Sequence, residues 1–386
     1  MSITKTYLDY AATTPVDPRI VQAMLPYFNE TFGNPSSVHA FGQKAEAARE
    51  NARQTIAQML NCQSKEVIFT SCGSESDNLA MRGAALAMRE KTGANWILTS
   101  RLEHHAVSHT AAQLEKYYGF QVEWLETDEF GIVSPTTVEK AICKDTALVS
   151  LMWANNEIGS LNPIHEIGAI CREHGVPFHS DAVQGAAHLP TDVQALHVDL
   201  LSIGAHKFYG PKGIGVLYVR QGTPLIPAQT GGSQEYGLRA GTENIPYLVG
   251  MAEAFRLVQT EHKQRTDHLL PLRDRLIGSI LEEIPDVQLT GHPVERLPNH
   301  ASFAFKDVDA NLLLVMLDQE GFACSSGSAC KTGDPRPSEV LTQLGMTPDW
   351  ALGGLRITLG KDTTPEQVNA FLSVLPGLVE RVRKLM

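Results

Sequence analysis

One lysine stands where a lysine can become a nucleophile. In Asp199-Leu-Leu-Ser-Ile-Gly-Ala-His-Lys-Phe-Tyr-Gly-Pro-Lys-Gly213, an apolar run from Leu200 to Ile203 ends in a turn of small residues carrying His206 and Lys207. A glycine- and proline-rich exit leads to a second apolar run, Gly215 to Val219. The pattern puts Lys207 at the end of a buried strand with little bulk around it. There an ammonium sheds its proton readily, and the free amine can attack a carbonyl carbon. Taken alone, a lysine in such a turn reads first as an ordinary surface lysine; its neighbours change that reading.

Four other apolar runs end in the same way. Ile68–Thr70 is followed by Ser71-Cys-Gly-Ser-Glu-Ser-Asp-Asn78, and Ile97–Thr99 by Glu103-His-His105. Leu148–Trp153 is followed by Asn155-Asn-Glu-Ile-Gly159, and Pro177–His179 by Asp181-Ala-Val-Gln184. In open parallel sheets ligands sit outside the carboxyl ends of the strands, so these segments converge on one place. Cys72-Gly-Ser74 falls between a strand and a helix, where backbone N–H groups can cradle a phosphate. Ser74 can cap that helix and offer its hydroxyl to a ligand. Asp181 reads either as a core carboxylate with a backbone partner or as the acidic partner of a ligand. A lysine nucleophile, an acid and an anion cup together meet the needs of pyridoxal phosphate. Asp181 would keep the ring nitrogen protonated, Gln184 would bond the ring hydroxyl, and His104 would stack on the ring or shuttle protons.

A second reactive stretch is Phe322-Ala-Cys-Ser-Ser-Gly-Ser-Ala-Cys-Lys-Thr-Gly-Asp-Pro-Arg336. Buried cysteines usually behave as small hydrophobes, the reading given to Cys62, Cys143, Cys171 and Cys324. Cys330 has no apolar context to bury it, and the adjacent Lys331 favours the thiolate, so it reads as a nucleophile. Arg356, in Gly354-Leu-Arg-Ile-Thr-Leu-Gly360, can clamp a substrate carboxylate bidentately.

The elements that must position these residues alternate. Strands are expected at Glu66–Ser71, Trp96–Thr99, Ala147–Trp153, Val176–His179 and Leu200–Ile203. Helices are expected from Glu75 to Arg89, Ala106 to Tyr118 and Ile164 to His174, after an alanine-rich amphipathic helix from Phe41 to Leu60. Such alternation implies an α/β fold with a mostly parallel sheet covered on both faces by helices. A glycine-bearing loop, Pro224 to Asn244, leads into a helical stretch from Pro246 to about Ile284. A smaller α+β pattern follows, with strands near Ala301–Phe305 and Phe322–Ser325 and a last helix from Pro365.

Composition excludes several classes. Among 386 residues, Lys+Arg number 32 against 43 Asp+Glu, a balance of −11 that argues against nucleic acid as the main partner. The N-terminus carries no signal-peptide pattern, and the apolar run Leu312 to Leu317 is far short of the ~20 residues that span a membrane. A cytoplasmic protein is expected. The six cysteines contain no C-x-x-C pair, so they read as free thiols and provide no zinc-ligand spacing.

Taken together, these residues resemble the cysteine desulfurases of the class V aminotransferase group, which are fold type I pyridoxal-phosphate enzymes. The resemblance covers essentially the whole chain. It runs through Asp9-Tyr-Ala-Ala-Thr-Thr-Pro15, Gly33-Asn-Pro-Ser-Ser37, Glu103-His-His-Ala-Val107, Asn155-Asn-Glu-Ile-Gly159, His179-Ser-Asp-Ala-Val-Gln184, Ala205-His-Lys-Phe-Tyr-Gly-Pro-Lys-Gly213, Gly237-Leu-Arg-Ala-Gly-Thr-Glu-Asn244 and Ser325-Ser-Gly-Ser-Ala-Cys330. It implies an N-terminal segment over 1–15, a large cofactor-binding domain over 16–260 and a small C-terminal domain over 261–386 bearing the cysteine loop.

The resemblance also implies roles. Lys207 carries the cofactor as a Schiff base. Gly73, Ser74 and His206 hold its phosphate, with Thr242 reaching in from the second subunit of a homodimer and Gly204 in the same binding set. Asp181 pairs with the ring nitrogen, Gln184 meets the ring oxygen and His104 stacks on the ring. Asn155 and Arg356 receive the carboxylate of L-cysteine. Cys330 takes the sulfur as a persulfide, leaving alanine, and passes it to an acceptor such as an iron–sulfur scaffold protein or a route to thiolated tRNA. Cys72 and Gly204 depart from the pattern, which usually has glycine and a phosphate-binding serine there. One lost hydroxyl bond costs on the order of 1 kcal/mol. The alternatives are a selenocysteine lyase and a weakened sulfur-transfer scaffold; the intact Lys207, Asp181, Cys330 and Arg356 argue against the second.

Overall fold

The structure, a computed structural model, describes residues 5–326 and 337–386. Its centre is a seven-stranded sheet in the order Val67–Thr70, Gly215–Val219, Leu200–Gly204, Phe178–Asp181, Thr146–Ser150, Trp96–Ser100 and Gln121–Leu125. Only Gly215–Val219 runs antiparallel to its neighbours; the other pairings are parallel. The α/β architecture is the one the alternation predicts.

The strands are apolar almost throughout because both faces are covered. Ile68, Leu200 and Leu217 face one side and pack with Leu79, Ala80 and Met81 of the helix Gly73–Thr92. Val67, Leu201 and Val216 face the other, with Ile56 of the helix Ala40–Leu60 and Ile167 of the helix Ile164–His174. Gly215 sits where chains press together: a Cβ there would lie 2.7 Å from the Cys72 carbonyl carbon and 2.9 Å from the Ile203 oxygen.

The 39-residue helix Ile245–Glu283 serves two cores. Leu248, Met251 and Phe255 belong to the large one. Leu269, Leu272 and Leu276 belong to a second, built with Phe303, Leu313 and Phe371. That second core backs a three-stranded antiparallel sheet of Gly354–Thr358, His300–Phe305 and Val287–Leu289. Thr6–Tyr7 pairs in parallel with Phe322–Ala323, and Leu8 drops into the same core.

Several boundaries differ from the sequence reading. The helix expected from Glu75 begins at Gly73, so Ser74 lies inside its first turn and Cys72 is the cap, without a side-chain bond. The strand expected at Ala147–Trp153 closes at Ser150, although Leu151 and Trp153 still donate backbone bonds to His179 and Asp181. Five strands are new: Thr6–Tyr7, the edge strand Gln121–Leu125, Gly215–Val219 (read only as an apolar run), short Val287–Leu289 and Gly354–Thr358, the carrier of Arg356. Gln121–Leu125 carries a charge, Val287–Leu289 is only three residues long and Gly354–Thr358 begins with glycine, so these lack the continuous apolar run that marks the central strands.

A buried ion pair fastens the loop before Asn244 to the sheet edge. Arg53 and Glu235, each 2% exposed at the side chain, meet at 2.8 Å. Glu235 also accepts from the Phe69 N–H at 2.9 Å, and Arg53 donates to the Val67 carbonyl. Removing one partner strands a buried charge, so Glu235→Ala should cost about 3–5 kcal/mol. Joint replacement by Met at 53 and Leu at 235 should cost less than either single loss. Denaturant unfolding of the three variants checks the order; equal midpoints for wild type and Glu235→Ala would contradict it.

Candidate active site

The carboxyl ends of the parallel strands open into one cavity of about 1030 Å³. Of the residues the sequence singles out, Lys207, His206, Asp181, Gln184, His104 and Arg356 all line it, as do Gly73 and Ser74. Gly204 adjoins this group: a Cβ there would sit 3.6 Å from the Gly73 nitrogen, an ordinary contact.

Lys207 ends a single 3-10 turn after the strand Leu200–Gly204. Its ammonium donates to the Ala11 carbonyl at 2.7 Å and the Ala12 carbonyl at 2.9 Å. Burial, with the nearby Arg356 charge, lowers its pKa to about 8, against the opposing pull of Asp181 and Asp9. His206 lies 3.2 Å through Nδ1 from the Thr13 hydroxyl, and burial lowers it to about 4. It is a neutral imidazole at physiological pH.

Asp181 closes the strand Phe178–Asp181, with Oδ1 accepting from the Val183 N–H at 2.9 Å. Burial raises its pKa, and His104 and Lys207 pull it back. His104 caps the helix His105–Tyr118 by accepting from the Ala106 N–H at Nδ1, 3.1 Å away. In the neutral ring that bond puts the proton on Nε2. Gln184 donates to the Ala11 carbonyl at 2.9 Å.

The start of the helix Gly73–Thr92 is an anion cup. No side chain caps it, and the N–H groups of Gly73, Ser74 and Glu75 have no partner among the described residues. Gly73 is needed at this turn, because a Cβ would fall 2.6 Å from Val183 Cγ2. Such a terminus attracts phosphate through its free donors and its dipole.

Arg356 is buried, with Nη2 on Asp9 Oδ1 at 2.8 Å and Nη1 on the Asn156 carbonyl at 2.9 Å. Its Nε is buried without a partner among the described residues. Asn155 stands apart from the cavity lining. Its amide donates to the Leu102 carbonyl at 2.9 Å and accepts from the N–H groups of Glu157 and Ile158. Thr242 is exposed and lies away from the cavity. Cys330 lies outside the described residues; Ser326 and Pro337, which flank that stretch, both line the cavity.

Three acids enter the site beyond the sequence reading. Asp77 and Glu103 line the cavity and are buried, and Asp9 holds Arg356. Asp77 follows Gly73 by one helical turn on the same face, a spacing legible once the helix is started at Gly73. Burial pushes the Glu103 carboxyl well up; Oε1 accepts from the Met152 N–H at 2.8 Å.

Residues 6–371 match the protein family described as Aminotransferase class-V. The chain belongs to the class-V aminotransferase family. A protein of Dictyoglomus turgidum named cysteine desulfurase IscS is 46% identical over 379 residues, covering 98% of this chain and 95% of that protein. A protein of the same name from Methanosarcina thermophila is also 46% identical, over 98% of this chain and 93% of its own length. A solved structure described as a NifS-like protein superposes with a TM-score of 0.90 at 33% identity, covering 98% of this chain and 100% of the other. The structure described as SspA in complex with cysteine gives 0.80 at 35% identity, over 94% and 100%. Class-V aminotransferases, cysteine desulfurases included, depend on pyridoxal phosphate in general.

In this class-V aminotransferase the depressed lysine has a measurable signature. An amine reacts only when unprotonated, so Lys207 should be half reactive near pH 8. An ordinary lysine, with a pKa of about 10.4, is then under roughly 1% unprotonated. A small acylating reagent applied to cofactor-free protein should mark Lys207 first, with a rate that rises through a midpoint near pH 8 and levels about one unit above it. Arg356→Gln removes a charge that lowers this pKa and should move the midpoint upward. Mass-spectrometric peptide mapping checks both; a Lys207 midpoint near 10 would contradict the assignment.

Proposed function

We propose that the chain is a pyridoxal-phosphate-dependent L-cysteine desulfurase working as a cytoplasmic homodimer. It converts L-cysteine to L-alanine and leaves the sulfur as a persulfide on Cys330, for transfer to an acceptor protein such as an iron–sulfur scaffold or into thio-cofactor and tRNA synthesis. The observation that carries the reading is the convergence of a deprotonatable lysine, a buried acid and an uncapped helix N-terminus on one cavity. Near-full-length identity to proteins named cysteine desulfurase supports the substrate.

The donor set fits the cofactor. The free N–H groups at Gly73 and Ser74, with neutral His206, suit a phosphate; Lys207 suits an aldehyde; Asp181 suits a protonated ring nitrogen. Gln184 would meet the ring oxygen and His104 one ring face. When bound, the cofactor supplies an electron sink for the substrate carbon beside the amino group. The chain's own residues do the rest. Arg356, whose buried Nε has no partner among the described residues, receives the substrate carboxylate; Asn155, bonded to the Leu102 carbonyl outside the cavity lining, can act there only through the chain around it. Lys207, whose amine is easily deprotonated here, would hold and move the proton at the substrate carbon. The Cys330 thiolate attacks the substrate sulfur; the carbon–sulfur bond breaks as the sulfur–sulfur bond forms, and a proton completes the methyl group of alanine.

Dimer formation is supported by an apolar surface beside Thr242. Phe28, Phe32, Val38 and Phe41 are exposed, and Val38 and Tyr236 line one surface cleft with Glu243. A partner covering this face would bring Thr242 to the neighbouring phosphate cup. Among the described residues no helix is long and apolar enough to cross a membrane, and Cys62, Cys72, Cys143, Cys171 and Cys324 are free thiols.

The decisive experiment follows sulfide and alanine from L-cysteine. Lys207→Ala should lose the visible absorbance of bound cofactor and all turnover. Cys330→Ala should keep that absorbance yet release almost no sulfide even with a thiol reductant present. Sulfide release by Cys330→Ala at the wild-type rate would remove the nucleophile assignment and favour a lyase mechanism. A further outcome concerns Gly204, where a side chain has room. Gly204→Ser should fold normally and bind the cofactor about fivefold more tightly, one hydrogen bond of about 1 kcal/mol. Equilibrium dialysis reads it, and unchanged affinity would mean that the hydroxyl misses the phosphate.

A further inference from the structure

In the cavity floor lies a second carboxyl for which the reaction above has no use. Asp77 is 1% exposed, and its Oδ1 has no hydrogen-bond partner among the described residues. Its carboxyl, that of Asp181 and a ring nitrogen of His104 lie within 4.8 Å of one another. Behind it stands His179, bonded through Nδ1 to the Ser150 hydroxyl at 2.8 Å and through Nε2 to the Ser202 hydroxyl at 2.9 Å. The same Nε2 is 3.7 Å from Asp77 Oδ1. Burial pushes His179 down to about 3, so the ring is neutral.

Two carboxyls so close in a buried site do not both ionise; one keeps a proton. Their surroundings choose which. Asp181 faces Lys207 and His104 and accepts the Val183 N–H. Asp77 faces Asp181, Glu103 and Cys72, with only the Ser202 hydroxyl and the neutral His179 to favour a charge. Burial, and then the Asp181 charge, push the Asp77 carboxyl well up.

We propose that Asp77 is a positioning residue for Asp181: it holds the single proton of the buried carboxyl pair, and so leaves Asp181 as the carboxylate that meets the ring nitrogen of the cofactor. The inference rests on the cofactor reading of the site only in its last clause. A neutral acid at position 77 spares Asp181 the repulsion of a second charge, and the His179–Ser150–Ser202 chain fixes the floor without adding one.

The test uses Asp77→Asn, Asp77→Ser and Asp181→Asn with three readouts. Infrared spectra of the purified protein at pH 7 should show a carboxylic-acid C=O band that both Asp77 variants lose. Stability of the full chain supplies the second readout. A carboxyl that stays protonated when folded but ionises when unfolded weakens the fold as pH rises above about 4, until its folded pKa is reached. The unfolding constant of wild type relative to Asp77→Asn should therefore rise with pH, by up to about tenfold per unit. Third, Asp181→Asn should weaken pyridoxal-phosphate binding at least about tenfold, and Asp77→Asn far less. No lost infrared band, a pH-independent stability ratio, or equal loss of cofactor affinity in Asp77→Asn and Asp181→Asn would each overturn the proposal. If wild type itself fails to bind the cofactor, the functional reading fails, while the first two readouts still locate the proton. Should Asp77→Asn fail to fold, Asp77→Ser carries the infrared test.

Discussion

The site depends on hydrogen bonds made by a short strap of chain, Tyr7 to Thr14. Its carbonyls at Ala11 and Ala12 accept from Lys207, and Ala11 also accepts from Gln184. Thr14 donates twice to the His206 carbonyl, by its N–H and its hydroxyl, each at 2.9 Å. Tyr7 ties the strap to itself through the carbonyls of Asp9 and Thr13. A buried ammonium without acceptors is costly, yet a carboxylate acceptor would hold its proton on. Neutral backbone carbonyls satisfy Lys207 and leave it easy to deprotonate. The same strap enters the small core at Leu8 and bonds Ala11 N–H to the Thr358 hydroxyl at 2.9 Å. One segment thus positions the nucleophilic amine and joins the two cores around it.

Charge is sorted by depth in this cavity. Asp77, Glu103 and Asp181 form an acidic floor at the sheet ends, while Lys207 and Arg356 stand nearer the strap and the small sheet. Arg356 depresses Lys207, and Asp9 offsets part of that effect while it bonds the guanidinium. A ligand with a protonated ring at one end and a carboxylate at the other finds complementary charge at both. Burial shifts Asp77, Glu103, Asp181 and Lys207, since the charged form of an acid or a lysine loses its water. The neutral histidines His206 and His179 fill positions where a further charge would upset the balance.

Much of this was legible in the sequence because parallel strands bury both faces and end in polar turns. The runs at Ile68, Leu148 and Leu200 announce themselves by continuous hydrophobicity, and the residues just past them are the ones that meet. Gln121–Leu125 escaped because an edge strand with Glu123 alternates too weakly to stand out. Gly354–Thr358 escaped because two glycines precede a buried arginine, an unusual content for a strand. Ser74 reads as a helix cap by residue type, but the turn at Cys72 starts the helix earlier. The strap was visible only as an extended piece ending at Pro15. Its part in the site is played by backbone carbonyls, which carry no residue signature.

The strand that carries Arg356 also bonds the chain just before the stretch with Cys330. Arg356 N–H donates to the Ser325 carbonyl at 2.7 Å, and Ser325 N–H returns a bond to the Arg356 carbonyl at 3.3 Å. Ser325 lies five positions before Cys330 in the chain. The guanidinium faces the cavity while the backbone of the same residue anchors that approach. In the described structure Asp9 occupies one arm of the guanidinium. A substrate carboxylate must share or displace that contact, and any shift it causes is felt directly at Ser325 through two short backbone bonds. In the proposed reaction, the residue that receives the substrate carboxylate is thus also the backbone partner of the chain that leads toward Cys330.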